Sequence, residues 1–128
     1  MGEMNLRNYA YIGDAVWELH IRRKTVYLTN NARNLHELTT SRVKGSFQAM
    51  LLSELDIELT EEEREIARRG RNLPIPVARR ANQNEYRLAT AFETLIGWWY
   101  LHSADRLNYI LNIIDEKFIS FEQPDSKC

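Results

Sequence analysis

Apolar residues recur every three to four positions through most of this chain, and no segment alternates apolar and polar residues with a period of two. The first spacing places apolar side chains on one face of a helix, whereas the second is typical of a half-buried strand. The sequence therefore predicts an all-α fold without an internal repeat or a domain boundary. The predicted helices lie at about 6–26, 34–55, 61–69, 84–101 and 104–118, with Gly45 as a candidate break in the second.

Local signals predict where these helices begin, end and approach one another. Thr60 and Glu63 fit a capping box, in which each side chain bonds to the other residue's backbone N–H, and Gly70 is a typical helix C-terminus. Ser103 is the expected cap of the last helix. Gly13 interrupts the first helix at a cost of about 1 kcal/mol relative to Ala, so we expect it to admit a neighbouring backbone.

The segment 71–83 contains Pro74 and Pro76 and has no helical apolar pattern, so we predict a loop there. A connection of about a dozen residues is long for a compact domain, and such loops tend to carry function. Beyond Phe121 the apolar pattern stops. We therefore expect one domain over residues 1–121 and a flexible tail at 122–128.

Composition narrows the class of protein. Apolar residues make up 44% and charged residues 27% of the 128 residues, a balance typical of a globular domain. The single cysteine, Cys128, excludes internal disulfides and cysteine-based metal sites. No apolar run approaches the length of about 20 residues that a membrane span needs, and the first five residues lack a secretory pattern. We expect a cytoplasmic protein.

The formal net charge is −1, but the charges are unevenly distributed. Residues 54–65 are strongly acidic, whereas residues 66–84 contain no acidic residue and five arginines. A basic segment of this kind is able to bind phosphate in a protein that is neutral overall. The alternative is a solvated helix end followed by a charged loop. The five arginines are Arg68, Arg69, Arg71, Arg79 and Arg80.

Two carboxylates occur inside apolar predicted helices: Asp14 in the interior of the first helix and Glu93 in the most apolar helix of the chain. A buried carboxylate is costly unless it is paired with a base, protonated, or bound to a cation. One hypothesis is therefore a buried ion pair with a nearby arginine, for which the candidates are Arg7, Arg22 and Arg87. The other hypothesis is that the two carboxylates meet across packed helices and bind Mg²⁺. This ion prefers one or two carboxylates and takes its other ligands from water and substrate phosphates.

Other side chains that bear on chemistry give weaker signals. The three histidines, His20, His36 and His102, lie on different predicted elements without the spacing of metal ligands. The aromatic run Trp98-Trp99-Tyr100 is predicted to belong to the core or a subunit interface, because Trp99 already fits the helical apolar pattern.

The two carboxylate segments carry a family resemblance. Residues 11–15, Tyr-Ile-Gly-Asp-Ala, and residues 91–97, Ala-Phe-Glu-Thr-Leu-Ile-Gly, resemble the two metal-binding motifs of the ribonuclease III catalytic domain. The resemblance is closest to the Mini-III branch, which lacks the double-stranded RNA-binding domain. Residues 35–36, 41–43, 46–49 and 69–72 also resemble Mini-III segments in the same order, and the likeness extends from Ala10 to Leu111.

This resemblance implies a ribonuclease III helical bundle that cuts double-stranded RNA and leaves 5′-phosphate and 3′-hydroxyl ends. It implies that Asp14 and Glu93 are the catalytic residues and hold Mg²⁺, with no organic cofactor and no membrane. It also implies a homodimer with a large-subunit (23S-type) ribosomal RNA precursor as substrate. The RNA-binding residues expected on this basis are Lys44, Arg68, Arg69, Arg71, Asn72, Arg79 and Arg80.

The chain also departs from the wider ribonuclease III pattern. Full-length relatives have further acidic residues where this sequence has Arg7, Ala10 and Thr90. This thinning motivates an alternative, a catalytically silent RNA-binding or ribosome-associated protein with the same fold. The retention of Asp14 and Glu93 argues against a silent protein. A helix-turn-helix DNA-binding protein is disfavoured, because the arginines lie on a helix end and a loop instead of on a compact recognition helix.

Overall fold

Six α-helices build the part of the chain that the computed structural model describes, residues 4–121, with only the backbone described at 79 and 80. No strand occurs within that part, which confirms the all-α prediction. No helix there is both long enough and apolar enough to cross a membrane. The helices are α1 (Leu6–Thr25), α2 (Ala32–Val43), α3 (Gly45–Leu55), α4 (Glu61–Arg71), α5 (Gln83–His102) and α6 (Ala104–Phe118), with 3₁₀ helices at Asp56–Glu58 and Val77–Asn82.

Helix α5 lies at the centre of the bundle and contacts α1, α3, α4 and α6. Its apolar residues occupy more than one face, which is typical of a helix surrounded by others. Phe92 packs edge-on against Trp17 of α1, with ring centroids 5.1 Å apart. The largest fully buried apolar residues of the core are Trp17, Ile21, Leu51, Leu55, Phe92, Leu95, Ile96, Trp99, Ile110 and Ile114.

Two glycines set the distance between α1 and α5. A Cβ atom at Gly13 would overlap with the backbone carbonyl oxygen of Glu93, and one at Gly97 would overlap with the carbonyl oxygen of Tyr9. Only glycine permits this backbone contact, which confirms the prediction for Gly13. The close approach places Asp14, the next residue on α1, beside the turn of α5 that carries Glu93.

The predicted helix boundaries hold with two corrections. The second segment does divide, at Lys44, and the capping box of Thr60 and Glu63 is present. Ser103 caps α6 by accepting a hydrogen bond from the backbone N–H of Arg106, as predicted. Gly70, however, does not end α4. The helix continues to Arg71, and Gly70 is buried where a Cβ would lie 2.7 Å from Oγ1 of Thr94.

The second correction concerns the predicted loop. Arg71 still belongs to α4, the segment Val77–Asn82 forms a 3₁₀ helix, and Gln83 begins α5. The irregular part is therefore limited to residues 72–76. The two prolines fix φ in this stretch and remove backbone donors, which stops α4 without preventing a 3₁₀ turn after Pro76.

A buried carboxylate joins the last three helices. Glu63 of α4 accepts hydrogen bonds from the indole N–H of Trp99 on α5 (2.9 Å) and from Nε of Arg106 on α6 (2.8 Å). Burial by itself raises the pKa of Glu63, but the bonds from Arg106, from the Thr60 backbone and from Trp99 outweigh it and lower that pKa to about 2. Glu63 is therefore ionised at neutral pH and fixes α4 and α6 against α5.

Candidate active site

Asp14 of α1 and Glu93 of α5 line one pocket with a volume of about 210 Å³. The helices supply two of its walls, and Leu73 and Pro74, from the irregular segment after α4, supply a third. The structure thus brings together the two carboxylates that the sequence singled out. The other residues that line the pocket are Arg7, Ala10, Tyr11, Tyr86 and Thr90.

The two carboxylates differ in their exposure. Glu93 is partly buried, as its apolar segment predicts, but Asp14 is exposed, so the prediction that both lie in an apolar interior is wrong for Asp14. The physical reason is its position on α1, at the edge of the buried stripe that contains Ala10 and Trp17. Asp14 is therefore open to solvent and to a ligand, with the more buried Glu93 behind it.

Glu93 lies in an environment that disfavours its charged form. Burial, followed by a hydrogen bond with Asp14 and the negative charge of Asp14, raises the pKa of Glu93 to about 8. A hydrogen bond from the side-chain amide of Gln48 (3.4 Å to Oε2) acts in the opposite direction but does not offset these effects. The carboxyl group of Glu93 is therefore expected to be mainly protonated at neutral pH until a cation replaces the proton.

The ion-pair hypothesis for these carboxylates is wrong. Arg22 pairs instead with Glu18, one turn away on α1 (2.6 Å), and Arg87 donates to the backbone carbonyl of Arg71 (3.0 Å). Among the described side chains, no ion pair joins Arg7, Arg22 or Arg87 to Asp14 or Glu93. None of these three arginines therefore offsets, through an ion pair, the cost of placing Glu93 beside Asp14.

The donor set fits a hard divalent cation. Carboxylate oxygens are ligands that Mg²⁺ prefers, and one or two of them suffice when water and substrate supply the rest. Within the described ranges no group of three or more His, Cys, Asp or Glu side chains is arranged to hold a metal. As the sequence predicted, the histidines lie apart and bond to other groups: His20 to Asp115, His36 to Thr40 and His102 to Tyr9.

The predicted RNA-binding residues whose side chains the structure describes do not line this pocket. Lys44 is exposed between α2 and α3, and Asn72 caps the C-terminus of α4. Arg68 is exposed and makes two hydrogen bonds to Glu65 (3.0 and 2.6 Å). Arg69 and Arg71 belong to the same last turns of α4, whereas the side chains of Arg79 and Arg80 lie outside the described part of the chain.

Residue-by-residue reading of the sequence missed Gln48 as a site residue. Its side chain is 2% exposed, and it bonds to Glu93 from α3. A polar residue between Phe47 and Leu51, both in the apolar pattern of that helix, is the signal that would have identified it. Thr90 and Tyr86 carry no such signal, because their place in the pocket depends on how α5 docks against α1 and the segment after α4.

Comparisons with known proteins show the family of this chain. The ribonuclease III domain family matches residues 7–104, a range that contains both carboxylates. Mini-ribonuclease 3 of Gloeobacter violaceus is 44% identical over 123 residues, which cover 96% of this chain and 90% of that protein. The chain belongs to the Mini-ribonuclease 3 family. It is therefore an endoribonuclease of the ribonuclease III type.

Other members of the Mini-ribonuclease 3 family support the assignment. The protein of Synechocystis sp. is 39% identical, and the alignment covers 83% of this chain and 74% of that protein. The protein of Clostridium tetani is also 39% identical, and the alignment covers 88% of this chain and 77% of that protein. Among solved structures, the crystal structure of protein FN1578 from Fusobacterium nucleatum matches with a TM-score of 0.79 and 29% identity, covering 88% of this chain and 93% of that one.

Proposed function

We propose that this Mini-III endoribonuclease cuts double-stranded RNA with Mg²⁺ held by Asp14 and Glu93. The observation that carries the proposal is a pocket with two carboxylates and no cationic partner for either among the described residues. When bound, Mg²⁺ lowers the pKa of water and neutralises charge that develops on a phosphodiester. The products expected from the family resemblance carry 5′-phosphate and 3′-hydroxyl ends.

The chain's own residues have separate tasks in this proposal. Exposed Asp14 is accessible to an incoming phosphodiester, whereas partly buried Glu93 is oriented by the amide of Gln48. Leu73 and Pro74 form a wall of the pocket and limit the directions from which a strand is able to enter. The raised pKa of Glu93 means that its carboxyl group must lose a proton before it binds a cation.

A duplex has two strands, and the pocket of Asp14 and Glu93 serves one of them. We propose that two copies associate about a two-fold axis and present one pocket to each strand. The outer face of α1 supports this proposal, because Tyr11 (83% exposed), Ala15 and Leu19 (59% exposed) form an apolar stripe one turn apart beside Asp14. Apolar side chains exposed together on a helix face are typical of a protein interface.

The basic segment supplies the proposed grip on the duplex. Arg68, Arg69 and Arg71 lie near the C-terminus of α4, and the segment that follows leads past the pocket wall to Arg79 and Arg80. Arginines of this kind bind phosphates regardless of base sequence, which suits A-form RNA, whose shape and backbone are what proteins mostly recognise. We further propose, from the family resemblance, a large-subunit ribosomal RNA precursor as substrate and the cytoplasm as the site of action.

The proposal is tested by incubating the full chain with a duplex RNA and with a single strand of matched length, each with and without Mg²⁺. We expect cleavage of the duplex only when Mg²⁺ is present, with 5′-phosphate ends. Cleavage in the presence of a chelator would contradict the metal assignment. Equal cleavage of the single strand would contradict the proposed substrate.

The dimer is tested by sedimentation of the wild type and of Leu19→Glu, which places a charge in the apolar stripe of α1. We expect a wild-type dimer that dissociates in this variant. Tyr27→Glu is the matched control, because Tyr27 is 89% exposed and lies beyond the end of α1. A monomeric wild type would refute the proposed assembly.

A further inference from the structure

One wall of the carboxylate pocket carries a positive charge. Arg7 lines the pocket together with Asp14 and Glu93. It precedes Asp14 by seven residues on α1, which corresponds to about two helical turns and places both residues on nearly the same face. A guanidinium group is therefore present at the edge of the pocket, beside the two carboxylates.

This guanidinium has no partner within the described part of the chain. The backbone N–H of Arg7 bonds to the side chain of Asn5 (2.8 Å), but its side chain is exposed and makes no hydrogen bond or ion pair there. Some other exposed arginines are engaged, for example Arg22 with Glu18 and Arg64 with Glu61 (3.2 Å). Arg7 is thus available to a ligand that enters the pocket.

The chemistry of the group indicates which ligand that is. A guanidinium presents paired N–H donors that match two oxygens of a phosphate, and it repels a metal ion instead of binding one. The pocket therefore combines two carboxylates that suit a cation with one guanidinium group that suits an anion.

We propose that Arg7 is a substrate-binding residue that holds a phosphate of the RNA strand entering the pocket. The inference rests on the proposed function, since it assumes that a phosphodiester reaches Asp14 and Glu93. Arg7 then positions the strand by charge and paired hydrogen bonds, and the carboxylates are left to the cation. Its contribution is made on binding, so it appears mainly in the KM and in the affinity for uncut duplex.

The test compares Arg7→Gln and Arg7→Lys with the wild type. Binding of a duplex RNA is measured over a range of salt concentrations with Ca²⁺ in place of Mg²⁺, so that affinity is read without cleavage. We expect Arg7→Gln to weaken binding about tenfold, as loss of a charged hydrogen bond does, and to lower the slope of log affinity against log salt by about 1 per site. Arg7→Lys should retain the slope but recover only part of the affinity, because it keeps the charge and loses the paired donors.

Arg23→Gln is the matched control, since Arg23 is also exposed on α1 but does not line the carboxylate pocket. It should lose far less affinity than Arg7→Gln. Calorimetry with Mg²⁺ alone should show that Arg7→Gln retains the metal, and its melting temperature should match the wild type. If Arg7→Gln binds and cuts duplex like Arg23→Gln while the wild type is active, the role of Arg7 is refuted and the proposed function stands. If the wild type neither binds nor cuts duplex RNA, both are refuted.

Discussion

Replacing Glu63 with Gln should destabilise the protein strongly. The side chain is 4% exposed and accepts hydrogen bonds from Thr60, Trp99 and Arg106, which belong to three different elements of the bundle. Lowering its pKa from 4.5 to about 2 corresponds to about 3 kcal/mol of stabilisation at neutral pH, at roughly 1.4 kcal/mol per pKa unit. For a domain of this size that loss lowers the melting temperature by about 10 °C.

The pH dependence separates this charge effect from a loss of packing. Because the folded-state pKa of Glu63 lies below the unfolded one, the stabilisation is fully present above pH 4.5 and is lost as the pH falls towards 2. Urea unfolding at pH 7 and pH 3 should therefore show the gap between wild type and Glu63→Gln narrowing by about 2 kcal/mol. Glu62→Gln, an exposed residue of the same turn, should change stability by less than about 1 kcal/mol. A gap that stays constant between the two pH values would refute the reasoning.

Two further predictions concern the backbone around the pocket. Gly13→Ala should lower the free energy of unfolding by at least about 2 kcal/mol and impair cleavage, because the added Cβ forces α1 and α5 apart. Gly45→Ala is the control in the same thermal melts, because its Cβ would lie 3.6 Å from the nearest atom. Equal melting temperatures for the two variants would contradict the close helix contact. Shortening the segment 73–81 should weaken duplex binding or shift the cleavage preference. The melting temperature should change little, since the deletion removes surface structure. A large drop in melting temperature would contradict this and show that the segment is part of the core.

Much of the fold was predictable because its signals are local. Apolar periodicity and caps gave α1, α5 and α6 to within about two residues, since a Ser at 103 or a Thr-Glu pair at 60 and 63 bonds to its own helix. Gly70 was misread because a glycine near a helix end has the same sequence signature whether it ends the helix or admits a neighbour. Only the packing of Thr94 against it distinguishes the two.

The two carboxylates of the candidate site were predictable from the sequence, whereas the residues around them were not. A carboxylate within an apolar helical segment is conspicuous in a sequence, and this pattern predicts Asp14 and Glu93 as site residues. Their unequal exposure depends on the rotation of α1 against α5, which no local pattern encodes. The contact of Gln48 with Glu93 also depends on helix packing, because Gln48 belongs to a third helix. So does the position of Arg7, a candidate ion-pair partner in the sequence, which lines the pocket but forms no ion pair among the described residues.

The central claim is that Asp14 and Glu93 together hold the cation that cleavage needs. It is tested most directly by measuring cleavage of a duplex RNA in Mg²⁺ by the wild type, Asp14→Asn and Glu93→Gln. Both variants keep the shape of the side chain and should lower the rate at least about 1000-fold, since several kcal/mol of charge stabilisation are lost. Their metal-free melting temperatures should equal or exceed that of the wild type, because each variant removes one member of the pair in which burial and Asp14 raise the pKa of Glu93, a shift that reduces stability at neutral pH. Cleavage at the wild-type rate by either variant would contradict the assignment.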